Sequence, residues 1–266
     1  MVDVAVLLSV GRHPASGRPR RADLDARALD LALRLPQARV RALHAGDPDE
    51  PALRDYLGMG LAAIDVLAIG TADDPLPALV DHLRSAPPDL VLTGVVAEAG
   101  EGSGALPYAL AASLDLTVAA NVAAIDIVGS EASIVQALPR GRRRALGATL
   151  PVFATVGVGA PPARQSAFAR ARVGAVWELP ATSVLDRDLA TWQAAPARPR
   201  PPRLKPIGGA TAAERLRLAT DNVGTGGRVL EGLPPDRAAA EIYRYLKALG
   251  LVGGPDSTTG KPADAM

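Results

Sequence analysis

Hydrophobic positions in the first 115 residues form short continuous runs that alternate with spaced repeats. Four runs of six to eight residues occur, at 3–10, 40–45, 64–69 and 89–94. Such runs are typical of strands buried on both faces of a parallel sheet. Helical spacing predicts four helices between and after them, over 22–35, about 50–59, 75–85 and about 105–114. The alternation predicts an α/β fold with a doubly wound, mostly parallel sheet of the Rossmann-like type.

The pattern changes after this region. Shorter strand-like runs follow at 122–128, 132–138, 144–150 and 152–157. Pro139-Arg140-Gly141-Arg142 is typical of a hairpin turn, so we expect an antiparallel extension of the sheet. The Gly-, Pro- and Arg-rich segment at 11–21 is predicted to be a simple connector.

The last third of the chain is predicted to be an arm on a main domain at 1–180. A Pro- and Arg-rich linker at 194–206 precedes a helix at 234–249, whose apolar face comprises Ala238, Ile242, Tyr245, Leu246 and Leu249. A short isolated helix is marginal in water, so the arm at 181–252 is expected to pack on a partner subunit. Residues 253–266 are expected to be a disordered tail.

Composition excludes several classes of protein. Hydrophobic residues make up 48% and charged residues 21%, which indicates a globular body, and a net charge of +1 argues against a nucleic-acid binder. The absence of cysteine excludes disulfides, thiolate nucleophiles and Cys-ligated metals. No run approaches the ~20 apolar residues of a membrane span, and the N-terminus lacks a signal-peptide pattern. We therefore expect a cytoplasmic protein without membrane insertion.

A glycine-rich segment follows the fourth predicted strand, at Gly94–Pro107. Free amides at the start of a helix favour a phosphate, and ligands of open α/β sheets bind beyond the carboxyl ends of the strands. A plain turn that uses glycine for geometry is the alternative. The predicted nucleotide-binding residues are Ser9, His44, Ala45, Gly94, Val95, Val96, Ala97, Gly100, Gly102, Ser103, Gly104, Ala105 and Leu106.

Other polar groups do not form a recognisable catalytic set. The arginines at 140–144 are interpreted as a solvated hairpin tip. The three histidines are scattered, with neither a Ser–His–Asp order nor metal-binding spacing. Glu98 and Glu101 lie in the glycine loop and are interpreted as solvated charges. The sequence therefore predicts a nucleotide crevice with no catalytic residues and no metal.

Four stretches resemble the beta subunits of electron transfer flavoproteins. Val6–Pro14 resembles the family's opening strand and turn, and Asp89–Gly94 with Gly102–Pro107 is similar to its Asp-Thr-Gly-Gln-Val-Pro region. Leu150–Val156, with the Pro161-Pro162 turn and Ala169–Arg172, is similar to its Leu-Pro-Ala-Val-Val-Thr-Val strand and the segment after it. Gly227–Pro234 resembles the tail of many bacterial members.

The resemblance implies a heterodimer with an alpha subunit that holds most of one redox-active FAD. It implies AMP in the beta crevice, or a second FAD in bifurcating members. Electrons would arrive from a dehydrogenase and leave to a quinone oxidoreductase or another acceptor, without catalysis by this chain. The loop expected to dock the dehydrogenase contains Pro161, Pro162, Arg164, Gln165 and Phe168.

Departures from the family pattern leave alternatives open. Gly11 stands where the family has Lys, Ala22-Asp23 replaces its Asn-Pro, and the docking loop lacks a leucine near its tip. The first two departures remove side-chain contacts to a nucleotide and leave backbone contacts, whereas the docking loop argues against acyl-CoA dehydrogenases as partners. Divergent beta subunits that resemble this chain serve other dehydrogenases, including those tied to the redox peptide mycofactocin. A stand-alone adenine-nucleotide-binding module similar to universal stress proteins is the second hypothesis. A structural subunit that has lost its nucleotide is the third.

Overall fold

A computed structural model of the chain describes residues 1–36, 38–193, 211–214, 216, 229–248 and 251. It divides into two compact units, Met1–Ala195 and Pro196–Met266. The predicted linker at 194–206 and the predicted disordered tail at 253–266 lie outside the described residues. The division into a main domain at 1–180 and a partner-binding arm stays a prediction.

The strands, in chain order, are β1 (Val2–Leu8), β2 (Val10–Arg12), β3 (Pro19–Arg21), β4 (Ala38–Gly46), β5 (Ala63–Ala68), β6 (Leu90–Gly94), β7 (Thr117–Val128), β8 (Glu131–Ala137), β9 (Arg143–Thr149), β10 (Val152–Val156) and β11 (Ala175–Leu179). Nine of them form one sheet in the order β11-β5-β4-β1-β6-β10-β7-β8-β9. Neighbours from β11 to β7 are parallel, whereas β8 and β9 are antiparallel additions. This arrangement confirms the predicted fold class.

The helices are α1 (Asp23–Ala32), α2 (Ala52–Leu57), α3 (Pro75–Ser85), α4 (Leu106–Ser113), α5 (Phe168–Val173) and α6 (Pro235–Ala248). Helix α3 shows how local sequence sets a boundary. The Asp74 side chain accepts a hydrogen bond from the Leu76 amide at 2.9 Å, and Pro75 occupies the first turn, where its missing amide costs nothing.

Helices cover both faces of the sheet, which explains the continuous apolar runs. Along β1, Val4, Val6 and Leu8 belong to one core cluster, and Ala5 and Leu7 belong to the other. The first cluster includes residues of α1 and α2, and the second includes residues of α3 and α4. Strands β6 and β10 are buried along their whole length, as expected for strands covered on both faces.

Three elements differ from expectation. The connector at 11–21 contains the β2–β3 hairpin. The run at 152–157 was expected in the antiparallel extension, but it forms β10, which is parallel to both of its neighbours, β6 and β7. All five residues of β10 are buried, which suits a strand in the middle of the sheet better than one at its edge. Strand β11 was not predicted, since its partly exposed residues mark it as the strand at the far edge of the sheet.

The second unit contains helix α6, close to its predicted bounds. Its Ile242 and Tyr245 side chains are 61% and 55% exposed, and none of its residues is buried. The predicted face residue Leu249 lies outside the described residues. No helix in the described ranges has the length and apolar character to span a membrane.

Candidate functional site

The central strands β1 and β6 separate at their carboxyl ends. They pair from Val4–Leu90 to Val6–Leu92, and no pairing continues beyond that point. Because the chain leaves β1 toward β4 on one side and later enters β6 on the other, this is the topological switch point of the sheet. Ligands of open α/β sheets bind at such a point.

Asp25 of α1 closes the base of this gap. One carboxylate oxygen accepts the Ser9 amide at 2.7 Å and also the Ser9 hydroxyl, and the other accepts the Gly94 amide at 2.7 Å. Burial raises the pKa of Asp25 above its ordinary value, and these hydrogen bonds oppose the rise. Sequence reasoning missed Asp25; the available signal was an acidic residue on the apolar face of a helix.

Ser9 is fixed by a second side chain as well. The hydroxyl of Tyr56, which is fully buried, donates to the Ser9 carbonyl at 2.8 Å and accepts from the Ala22 amide at 2.9 Å. Burial, together with the nearby Asp25 charge, raises the pKa of Tyr56 well above its usual range. Each hydrogen-bonding group of Ser9 therefore has a partner inside the chain.

The glycine loop after β6 presents free backbone amides. Gly100, Gly102 and Gly104 all have positive φ, at 73°, 62° and 75°, while the residues between them do not. Alternating backbone handedness turns amides toward one side, a geometry that binds anions. Within the described part of the chain, no acceptor takes the amides of Gly100, Glu101, Ser103 or Gly104. The loop leads directly into α4, whose N-terminus adds a positive dipole end.

Glu98 anchors the glycine loop to the rest of the crevice. Its carboxylate accepts the Asp23 amide at 2.8 Å and pairs with Arg20 at 2.6 Å. A Cβ on Gly11 would lie 2.3 Å from the Glu98 carboxylate, so glycine at position 11 makes room for this anchor. Glu98 and Glu101 are both exposed, in agreement with their interpretation as solvated charges, but sequence reasoning missed the two hydrogen bonds of Glu98.

A cavity of about 440 Å³ lies at the carboxyl ends of β4 and β5. It is lined by Gly46, Asp47, Pro48, Ala68, Ile69, Gly70, Thr71 and Ser183. The predicted residues His44 and Ala45 precede this lining and are not part of it. The His44 ring is buried, with Nδ1 2.8 Å from the Leu8 carbonyl oxygen, and burial lowers its pKa. Asp47 was missed because a single acid after a strand is a weak signal.

The predicted nucleotide-binding residues therefore fall into different structural settings. Gly94 and Ser9 meet at Asp25, and the Val95 amide donates to the Val156 carbonyl at 3.0 Å. Val96 and Ala97 connect that buried end to the exposed glycines. The Ser103 hydroxyl accepts the Ala105 amide at 3.1 Å, and Leu106 begins α4.

The predicted docking loop joins β10 to α5 and is tied to its own domain. Arg27 of α1 donates to the Val158 and Ala160 carbonyls at 3.3 and 2.6 Å. Arg164 pairs with the buried carboxylate of Asp30, also on α1. Four of the predicted docking residues stay exposed, namely Pro161, Pro162, Gln165 and Phe168.

Comparison with known proteins agrees with this architecture. The electron transfer flavoprotein domain model matches residues 11–184. The chain belongs to the electron transfer flavoprotein family. An electron transfer flavoprotein subunit beta from Chromohalobacter salexigens is 45% identical over 251 residues, covering 92% of this chain and 94% of that protein. The match favours an electron transfer flavoprotein beta subunit over a stand-alone adenine-nucleotide-binding module.

Proposed function

We propose that the chain forms a heterodimer with an electron transfer flavoprotein alpha subunit. The pair passes electrons from a dehydrogenase to a quinone oxidoreductase or another acceptor, and this chain catalyses no reaction of its own. The observation that carries the proposal is the 45% identity to a beta subunit across 92% of the chain. Co-expression with an alpha subunit, followed by isolation of a stable complex, tests it directly.

The proposed crevice ligand is AMP, which serves a structural role. The fit rests on two features: the free amides of the glycine loop, which suit a phosphate, and the cavity beside Gly46 and Asp47, which is large enough for a nucleoside. Because Ser9 and Gly94 bond to Asp25, most contacts to the phosphate would come from residues 100–106. Nucleotide released from the denatured, purified complex should be AMP by mass spectrometry.

A charge placed in the loop tests this assignment. Gly102 has room for a Cβ, whose nearest neighbour would be the Ala97 carbonyl oxygen at 3.5 Å, so Gly102→Glu adds charge beside the phosphate with little steric clash. Gly129→Glu is the matched control, since Gly129 has nearly the same positive φ and lies in the remote β7–β8 turn. Only Gly102→Glu should lose the nucleotide. Equal occupancy in both variants would count against a phosphate at this loop.

We propose that FAD is held mainly by the alpha subunit. FAD, when bound, supplies the redox chemistry of the complex, and this chain shapes the surface around it. The full chain made alone should be colourless, whereas the heterodimer should show flavin absorbance. One FAD per chain in the isolated protein would contradict this division.

The arm is proposed to pack on the alpha subunit through α6. Ile242 and Tyr245 are 61% and 55% exposed in this chain, and burying the rest of these two large side chains would favour association by roughly 2–4 kcal/mol before entropy. Deleting residues 207–266 should abolish co-purification with the alpha subunit. Unchanged assembly after that deletion would show that the arm is dispensable.

A further inference from the structure

We propose that Asp25 is a positioning residue of the nucleotide crevice. Its carboxylate holds the diverging ends of β1 and β6 at one spacing, so that the loops following the two strands meet the same ligand. The inference rests on the nucleotide binding proposed above and adds the residue that shapes the site without touching the ligand.

We call the gap between the carboxyl ends of β1 and β6 the seam. Strand β1 stays paired with β4 as far as Leu8–His44, and β6 stays paired with β10 as far as Gly94–Val156. Only the β1–β6 pairing stops early, at Val6–Leu92. Each strand end is therefore fixed on its outer side, and the width of the seam depends on what lies within it.

Asp25 reaches both sides of the seam from α1. Its two oxygens divide between Ser9 and Gly94, which makes the carboxylate a cross-link between the strand ends. The fit is close, because a Cβ on Gly94 would lie 2.6 Å from a carboxylate oxygen and 2.8 Å from the Leu24 Cβ. No larger side chain at position 94 is compatible with Asp25 in this position.

Burying the Asp25 carboxylate carries a desolvation cost, which its hydrogen bonds to Ser9 and Gly94 offset. Burial disfavours the ionised form of Asp25, as its raised pKa indicates. The carboxylate nevertheless suits this position, because a helix side chain with two acceptor oxygens can satisfy donors on two separate strands at once. A single hydroxyl or a methyl group could not bridge them.

The same bonds decide where the phosphate can bind. The amides of Ser9 and Gly94 point at Asp25 and cannot donate to a ligand, and a buried negative charge repels a phosphate at the base of the crevice. The free amides begin farther along, at the glycine loop. Asp25 therefore acts through the loops and makes no contact with the nucleotide.

The test compares two buried aspartates on the same helix. Asp25 and Asp30 are 3% and 2% exposed, but Asp30 pairs with Arg34 and Arg164 and has no bond to β1 or β6.

AMP and adenosine are titrated calorimetrically into the full chain, alone and with its alpha subunit, as wild type, Asp25→Asn and Asp30→Asn. Asp25→Asn replaces one acceptor oxygen by an NH₂ group, which would face the donors on one side of the seam, so this variant should bind both ligands about tenfold more weakly. Asp30→Asn should bind both like the wild type.

The outcomes separate this inference from the proposed function. If Asp25→Asn binds like Asp30→Asn, Asp25 is only a stability element and the inference fails while nucleotide binding stands. If AMP binds more tightly and adenosine is unaffected, Asp25 acts by charge and not by position, which also overturns the inference. If the wild type binds neither ligand, the proposed nucleotide binding fails first. Should Asp25→Asn not fold, Ser9→Ala removes one donor of the cross-link and should weaken both ligands in the same direction.

Discussion

The proposed nucleotide crevice and the predicted docking loop are both anchored by helix α1, but through different kinds of contact. At the crevice, the buried Asp25 accepts backbone amides from two strand ends. At the docking loop, Arg27 donates to backbone carbonyls and Asp30 accepts from Arg164, whose side chain is 37% exposed. The Asp25 contacts at the crevice are buried, whereas the Arg164 contact at the docking loop is partly exposed to water.

This difference predicts how the two regions respond to mutation. A buried acceptor with fixed backbone donors tolerates little change, so substitutions at the crevice should cost both stability and binding. Ion pairs that reach solvent contribute less to stability, and the exposed tip of the docking loop contributes almost none. The docking loop should therefore lose partner recognition before it loses structure.

Crowding the crevice should give the largest loss of stability. Gly94→Ala places a Cβ against Asp25 and Leu24, and such overpacking should lower the free energy of unfolding by about 3 kcal/mol. Gly100→Ala is the control, because Gly100 has positive φ with open space around it and should lose only about 1 kcal/mol. Urea unfolding of the full chain measures both. Equal losses would mean that the contact with Asp25 does not limit position 94.

Removing the exposed ring of the docking loop should change electron uptake and not stability. Phe168 is 77% exposed at the start of α5, so Phe168→Ala should slow reduction by the cognate dehydrogenase about tenfold, an effect typical of an interface anchor. Chemical reduction of the flavin should stay at the wild-type rate. Val173→Ala is the matched control, since Val173 is 84% exposed on the same helix. If the two variants are reduced equally fast, the ring does not anchor the dehydrogenase.

The parallel core of the fold was predictable from sequence, because buried strands and amphipathic helices have distinct periods. The bounds of α3 follow from Asp74 and Pro75, and those of β6 from a run of apolar residues. Strand β11 and the β2–β3 hairpin were not predictable, since edge strands and short hairpins lack a buried pattern. The same limit applies to the site: the glycine loop is visible in the sequence, but the partners of Asp25 lie 16 and 69 residues away along the chain.

Weakening the attachment of the docking loop should lower the free energy of unfolding by about 1 kcal/mol, the value typical of a partly exposed ion pair. Arg164→Met keeps the length of the side chain and removes its bond to Asp30, which retains Arg34 at 2.6 Å. The loss should shrink as salt concentration rises, because screening weakens the pair in the wild type. Gln165→Ala, at the exposed neighbour, should have no measurable effect on unfolding. A salt-independent loss would point to packing of the arginine stem instead.

The smallest expected effect is a pH dependence from His44, whose ring bridges the first two parallel strands of the crevice. Burial lowers the pKa of His44 below its ordinary value of 6.5. Below that pH, the unfolded chain binds a proton that the folded chain does not, so the free energy of unfolding falls as the pH falls. His44→Asn keeps a donor toward the Leu8 carbonyl and cannot titrate in this range.

The measurement is the difference in unfolding free energy between wild type and His44→Asn as a function of pH. It should move against the wild type as the pH falls through the ordinary histidine pKa of 6.5. The shifted pKa values of other described groups cancel in the difference, such as that of His82, which burial lowers, and that of Asp25, which burial raises so that it favours the folded state as the pH falls. A difference that is constant with pH would mean that the His44 ring gains a proton equally in both states, and that water reaches this end of the crevice as it does the docking loop.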